Sequence, residues 1–138
     1  MKKQIMFPLL LFVLLLSACN NSDELSGKTF DVSYSGPHDK YYSEITLEFL
    51  DGNIVKNTKG YEEGTYDLKE DKLIIQFENE NEFLEIEFTL EESNEDSSTY
   101  LAEINDADYK MTDTDKISHF QNFLFKLDEG RPYQFIEK

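Results

Sequence analysis

The sequence predicts an all-β domain, an antiparallel meander that forms a small barrel of eight to ten strands. From Thr29 onward the large apolar residues recur at every second position, which is typical of strands, and not every 3.6 residues as in a helix. Turn-forming residues separate these alternating stretches at short intervals. A chain of 138 residues has room for one such domain and little more.

Each alternating stretch places its large side chains on one face and polar side chains on the other, as a half-buried strand requires. The inward-facing sets, in chain order, are Phe30, Val32 and Tyr34; Ile45, Leu47 and Phe49; Tyr66 and Leu68; Leu73, Ile75 and Phe77; Leu84, Ile86, Phe88 and Leu90; Tyr100, Ala102 and Ile104; Phe123, Phe125 and Leu127; and Tyr133 and Phe135.

Hairpin turns connect most of these strands. Asp51-Gly52 is the strongest turn signal, because glycine tolerates the positive φ of a tight hairpin. Glu70-Asp71 and Asn79-Glu80-Asn81 join the next two strand pairs, and residues 91–98 form a longer polar loop. Such connections favour an up-and-down barrel or a sandwich.

One segment has a helical pattern. Asp113 is a plausible helix N-cap, and Ile117 and Phe120 lie three residues apart. A short helix is therefore expected near residues 113–120, before the set that begins at Phe123.

The N-terminus is predicted to be a secretory signal. Lys2 and Lys3 precede an apolar stretch that is too short to cross a bilayer of roughly 30 Å as a helix. The stretch ends in Leu16-Ser17-Ala18-Cys19, which resembles the lipobox of bacterial lipoproteins. The resemblance implies lipid transfer to the thiol of Cys19 and cleavage before it. An ordinary cleaved signal with a chance cysteine is the alternative.

This interpretation divides the chain into three parts: a signal peptide (residues 1–18), the lipidated Cys19 with a polar tether (19–28), and the β domain (29–138). The expected location is the extracytoplasmic face of the cell membrane, where the lipid holds the protein. Cys19 is the one cysteine of the chain, so no internal disulfide is expected.

The first half of the β domain resembles the small lipocalin-like domains of bacterial lipoproteins. The opening Leu25-Ser26-Gly27-Lys28-Thr29-Phe30 is similar to their Leu-x-Gly-x-aromatic element, with the aromatic residue one place later. Leu47-Glu48-Phe49-Leu50-Asp51-Gly52 is similar to their first hairpin. Gly64-Thr65-Tyr66-Asp67-Leu68 and Asp71–Phe77 are similar to their next strand pair. The resemblance implies a lipocalin-like barrel.

The charge of the chain limits its partners. With 13 basic and 29 acidic residues, it lacks the basic surface that nucleic acids require. Removing residues 1–18 takes away Lys2 and Lys3, which leaves 11 basic and 29 acidic residues and a net charge of −18. A run without any base contains nine acids: Glu78, Glu80, Glu82, Glu85, Glu87, Glu91, Glu92, Glu95 and Asp96. A solvated outer face is the favoured interpretation; a docking face for a basic protein and a calcium site are the alternatives.

No enzyme, metal site or cofactor is predicted. Glu85 and Glu87 lie about 7 Å apart on one strand face, a spacing that glycosidases use, but such pairs arise freely among many acids. His38 and His119 are isolated, and zinc needs closely spaced ligands. Motifs for a nucleophile or a phosphate-binding loop are missing.

Aromatic residues are the best candidates for binding. Phe30, Phe49, Phe77, Phe88 and Tyr100 could line a cavity for a small apolar molecule, although the favoured interpretation is that they form the core. Tyr41, Tyr42 and Tyr61 in or beside loops could contact protein or carbohydrate. Two functions follow as the main hypotheses: a lipocalin-like carrier of a small apolar ligand, or an acidic protein-interaction module at the cell surface. A hydrolase without a recognisable motif is the third and least favoured.

Overall fold

A computed structural model describes residues 23–60, 62–94 and 99–138. Eight antiparallel strands form a closed barrel in sequence order, and β8 pairs with β1. The strands are β1 (Thr29–Ser35), β2 (Tyr41–Leu50), β3 (Ile54–Asn57), β4 (Glu63–Lys69), β5 (Lys72–Glu78), β6 (Glu82–Glu92), β7 (Tyr100–Met111) and β8 (Tyr133–Glu137). A 3-10 turn spans Pro37–Asp39, and a short helix, α1, spans Gln121–Phe125. The predicted all-β barrel is confirmed, while the predicted signal peptide and Cys19 lie outside the described residues.

The two-residue alternation of the sequence becomes the inside and outside of the barrel. In β6 every second residue from Glu82 to Leu90 is buried, and the residues between them are partly exposed. The predicted inward-facing residues of β1, β2, β4, β5 and β6 all point into the core or pack against it. An eight-stranded barrel has an interior just wide enough for such side chains.

The predicted hairpins are confirmed. Residues 51–53 connect β2 to β3, and Gly52 has the positive φ of 76° that makes glycine favourable there. Glu70-Asp71 connects β4 to β5. Between β5 and β6, the side chain of Asn79 accepts hydrogen bonds from the backbone amides of Asn81 and Glu82 at 2.9 and 2.7 Å. This side chain fixes the turn that leads into Glu82.

Strand β7 is longer than its inward-facing set indicated. It continues beside β6 as far as Met111, but a register shift leaves Asn105 opposite no residue of β6. The inward phase consequently changes from Ile104 to Ala107 and Tyr109, which are partly buried. The bulge at Asn105 interrupts the two-residue alternation of buried and exposed residues. The alternation in the sequence therefore does not reveal the second half of the strand.

The expected strand through Phe123, Phe125 and Leu127 is wrong. Residues 113–120 form turns and bends, and the short helix begins beyond them at Gln121. Phe123 and Leu127 are buried four residues apart, whereas Phe125 is 74% exposed. A spacing of four places two side chains on one helix face, so this set follows a helical period.

Both ends of the barrel are covered by other parts of the chain. At one end the ring centroids of Phe120 and Phe123 lie 6.0 and 5.1 Å from that of Phe77. At the other end Leu25 is fully buried, and the amide of Gly27 donates a 2.8 Å hydrogen bond to the carbonyl of Phe49. Residues 23–28, which are the second part of the expected tether, thus pack against the barrel.

We expect Phe123→Ala to lower the free energy of unfolding by about 3 kcal/mol, because it removes a buried ring that fills one barrel end. Phe125→Ala is the matched control and should cost less than about 0.5 kcal/mol, since its ring is exposed. Urea denaturation of the two variants measures both values. Equal losses would contradict the helical arrangement.

Candidate functional site

The five aromatic residues predicted to line a cavity are all in the barrel interior and at most 8% exposed. The ring of Phe30 lies 5.9 Å from the rings of Phe49 and Tyr100, measured between centroids. Phe135 lies 5.8 Å from Phe30 and 5.6 Å from Phe88, so it links the two. Phe77 contacts the aromatic residues of the α1 region instead. The rings therefore pack against one another and fill the space between them.

A buried carboxylate was missed among the nine acids of the predicted polar run. Glu82 is 3% exposed and lies at the end of β6 that α1 covers. Its carboxylate accepts hydrogen bonds from the amide of Asn79 at 3.0 Å and from the hydroxyl of Tyr109 at 2.8 Å. The backbone amide of His119 donates at 2.9 Å, and the hydroxyl of Ser118 also donates. The group is thus satisfied, as a buried charge must be.

These donors keep Glu82 ionised. Burial by itself raises the pKa of Glu82, but the hydrogen bonds from Ser118, the His119 amide, Asn79 and Tyr109 together outweigh burial and lower it to about 2. The charged oxygen Oε1 also lies 3.4 Å from the amide of Phe120. Glu82 therefore holds the residues before α1 against the barrel and keeps the Phe120 ring inside the end of the barrel that α1 covers.

The outer surface of β6 and β7 carries a concentration of acids. We call the outward-facing Glu85, Glu87, Glu103, Asp106 and Asp108 the acidic face. The register places Glu85 opposite Asp108 and Glu87 opposite Asp106. Like charges directly opposite each other on a sheet are unfavourable. The acidic face therefore has an electrostatic cost that an approaching cation would relieve.

Neighbouring side chains compensate part of this charge. Lys72 lies 3.6 Å from Glu87, and Lys110 lies 3.3 Å from Asp108. The amide of Gln76 donates a 2.5 Å hydrogen bond to Glu85. Glu85 and Glu87, the two acids with a glycosidase-like spacing, are thus on the outer wall of the barrel and contact different neighbours.

The histidines and loop tyrosines are dispersed. His38 is exposed in the 3-10 turn, and the side chain of His119 is exposed above Glu82. Within residues 23–60, 62–94 and 99–138, no group of three His, Cys, Asp or Glu side chains is placed to hold a metal ion. Tyr41 and Tyr42 begin β2, and the Tyr42 ring stacks on Tyr34 at 5.7 Å. Tyr61 lies outside the described residues.

No family model matches the chain, and neither a curated protein nor a solved structure is significantly similar to it. In the part of the chain that the structure describes, no helix is both long and apolar enough to span a bilayer.

Replacing Glu82→Gln should lower the free energy of unfolding at neutral pH by about 3 kcal/mol, because the buried donors lose their charged acceptor. The pKa of Glu82 is about 2 in the folded protein and has a usual value of 4.5. The difference in free energy of unfolding between the wild type and Glu82→Gln should therefore be largest above about pH 5 and decrease as the pH falls toward about 2. Urea denaturation at a series of pH values measures it.

Glu80→Gln is the matched control, because Glu80 is an exposed carboxylate two residues away. It should change the free energy of unfolding at neutral pH by less than about 0.5 kcal/mol. The role of Glu82 is refuted if both variants are equally stable, or if the deficit of Glu82→Gln stays constant across the acidic range.

Proposed function

We propose that this protein is a lipid-anchored, extracytoplasmic and non-enzymatic binding protein that acts through the outer surface of its barrel. The observation that carries the proposal is the packed interior, where Phe30 contacts Phe49, Tyr100 and Phe135. Leu25 and Phe123 are buried at the two ends. A barrel filled in this way has its binding capacity on the outside.

The anchor is supported by sequence. The lipobox-like Leu16-Ser17-Ala18-Cys19 follows a basic start and an apolar stretch. A diacylglyceryl group on Cys19 would supply two acyl chains, which suffice for stable membrane attachment. Residues 23–28 pack on the barrel, so a fully extended chain from Cys19 to Asp23 spans only about 14 Å. The barrel would then lie close to the membrane, with the end that contains Leu25 nearest to it.

The partner supported best is a basic protein segment. The mature chain has a net charge of −18, and its acidic face places like charges opposite each other on β6 and β7. A field of one sign increases the rate of encounter with an oppositely charged partner and favours it over neutral ones.

A carrier of a small apolar molecule is the second candidate. The eight-stranded meander and its aromatic interior favour it, because barrels of this size can hold one small ligand. A guest between Phe30, Phe49, Phe77, Phe88 and Tyr100 would have to separate rings that now contact other rings. This cost places the carrier second.

The anchor proposal predicts that Cys19→Ser abolishes both fatty-acid labelling and cleavage after Ala18, because the serine hydroxyl does not replace the thiol as lipid acceptor. Intact-protein mass spectrometry of membrane fractions measures both. Asn20→Ser should remain labelled and cleaved. A Cys19→Ser chain that is still cleaved after Ala18 would contradict a lipoprotein.

The acidic face predicts binding of a basic peptide with alternating Lys and Thr residues. In fluorescence anisotropy at low ionic strength, Asp106→Asn with Asp108→Asn should weaken binding about 3- to 10-fold. Glu63→Gln with Asp67→Asn on β4 removes the same charge elsewhere and should weaken it less than about 2-fold. Equal losses of peptide affinity in the two double variants would show that only net charge matters and would contradict binding at the acidic face.

A further inference from the structure

Strand β7 has an edge without a strand partner. It pairs with β6 along Tyr100–Met111 but with β8 only at Tyr100, Leu101 and Ala102. Strand β8 begins at Tyr133, opposite Ala102, and the chain before it forms α1 and turns. Among the described residues, the segment 103–111 therefore pairs with β6 on one side, and no strand pairs with its backbone N–H and C=O groups on the other side.

The hydroxyl of Ser118, in the segment that follows β7, lies 2.7 Å from the hydroxyl of Tyr109, but the backbone amides of this segment donate elsewhere. The amide of Thr112 donates to the carbonyl of Asn81 at 2.9 Å, and the amide of His119 donates to Glu82. Both bonds lead to the β5–β6 hairpin and the barrel end, and not to the edge of β7. Within the described chain, none of the backbone hydrogen bonds outside the strand ladders reaches residues 103–111.

The charges along this edge favour one kind of occupant. Glu103, Asp106 and Asp108 point outward, while Lys110 is the one base of the described edge and already contacts Asp108. A second copy of the chain paired at this edge would place acids beside acids, which is unfavourable. A segment with Lys or Arg at alternate positions would instead be complementary.

We propose that the 103–111 edge of β7 binds an extended basic segment of a partner protein as an added strand. The inference rests on the proposed function, since it states how the basic partner is held. Backbone hydrogen bonds would provide the affinity, and the acidic face would select Lys or Arg at alternate positions. The residues between them would face Ala107 and Tyr109, which are partly buried against the core, and would therefore be small or apolar.

Three peptides of identical sequence and charge test this mode of binding on the full chain in detergent micelles. Each has alternating Lys and Thr over about nine residues, which matches the length of the edge. One is unmodified, one is N-methylated at every Lys, and one is N-methylated at every Thr. Successive residues of a strand direct their N–H groups to opposite sides, so only one methylated set can face β7.

We expect one methylated peptide to bind at least about 10-fold more weakly than the unmodified peptide, and the other to stay within about 3-fold. The unmodified peptide should also slow hydrogen exchange at alternate amides of residues 103–111. Equal binding of all three peptides would overturn the added strand. In that case, a loss of binding in Asp106→Asn with Asp108→Asn would still support the proposed function.

Two other outcomes would also overturn the inference. Absence of binding by all three peptides would show that the edge does not accept a basic strand. Protection of the same amides without peptide, together with a dimeric mass in sedimentation, would show that a second copy occupies the edge.

Discussion

The bore of an eight-stranded barrel is narrow, and unless one small ligand occupies it, each inward position must be filled by a side chain. Here aromatic rings meet much of that requirement. Phe30 and Phe135 contact each other at 5.8 Å and connect the rings of Phe49, Tyr100 and Phe88. The strict alternation of β6 and the sealing of both ends follow from the same requirement, because a gap would cost packing energy.

Carboxylates seal the two ends in different ways. At the N-terminal end Asp23 and Glu24 accept hydrogen bonds from the hydroxyls of Tyr66 and Tyr100, at 3.2 and 3.1 Å. Burial, followed by these bonds, raises the pKa of each tyrosine to about 12, so both hydroxyls stay protonated donors even in alkaline solution near pH 10. At the other end Glu82 accepts bonds from the residues before α1. A few acids of this acidic chain thus stabilise the fold, whereas those of the acidic face lie on the outer surface, where Lys72 and Lys110 compensate part of their charge.

Local patterns in the sequence were sufficient for most of the barrel. The alternation around Leu84 and the turn at Gly52 each concern residues a few positions apart, and the structure confirms both. The helix was misplaced because Phe123, Phe125 and Leu127 fit a two-residue spacing, although Phe123 and Leu127 by themselves also fit a four-residue one. Only the burial of Phe123 and the exposure of Phe125 separate the two interpretations.

The buried acid was harder to predict. Glu82 lies in phase with Leu84 and Ile86, so strand parity alone could have marked it as inward-facing. Its donors Ser118 and His119, however, lie 36 and 37 residues away, and no local pattern connects them to β6. The open edge of β7 depends in the same way on where β8 begins, which is a property of the assembled barrel.

The packed interior is tested most directly by native mass spectrometry of the purified protein released from detergent micelles. A filled barrel predicts the mass of the chain with its covalent modifications alone, without a bound small molecule. A stoichiometric adduct that survives release from the micelle and disappears when the protein is unfolded would contradict it and would identify the barrel as a carrier.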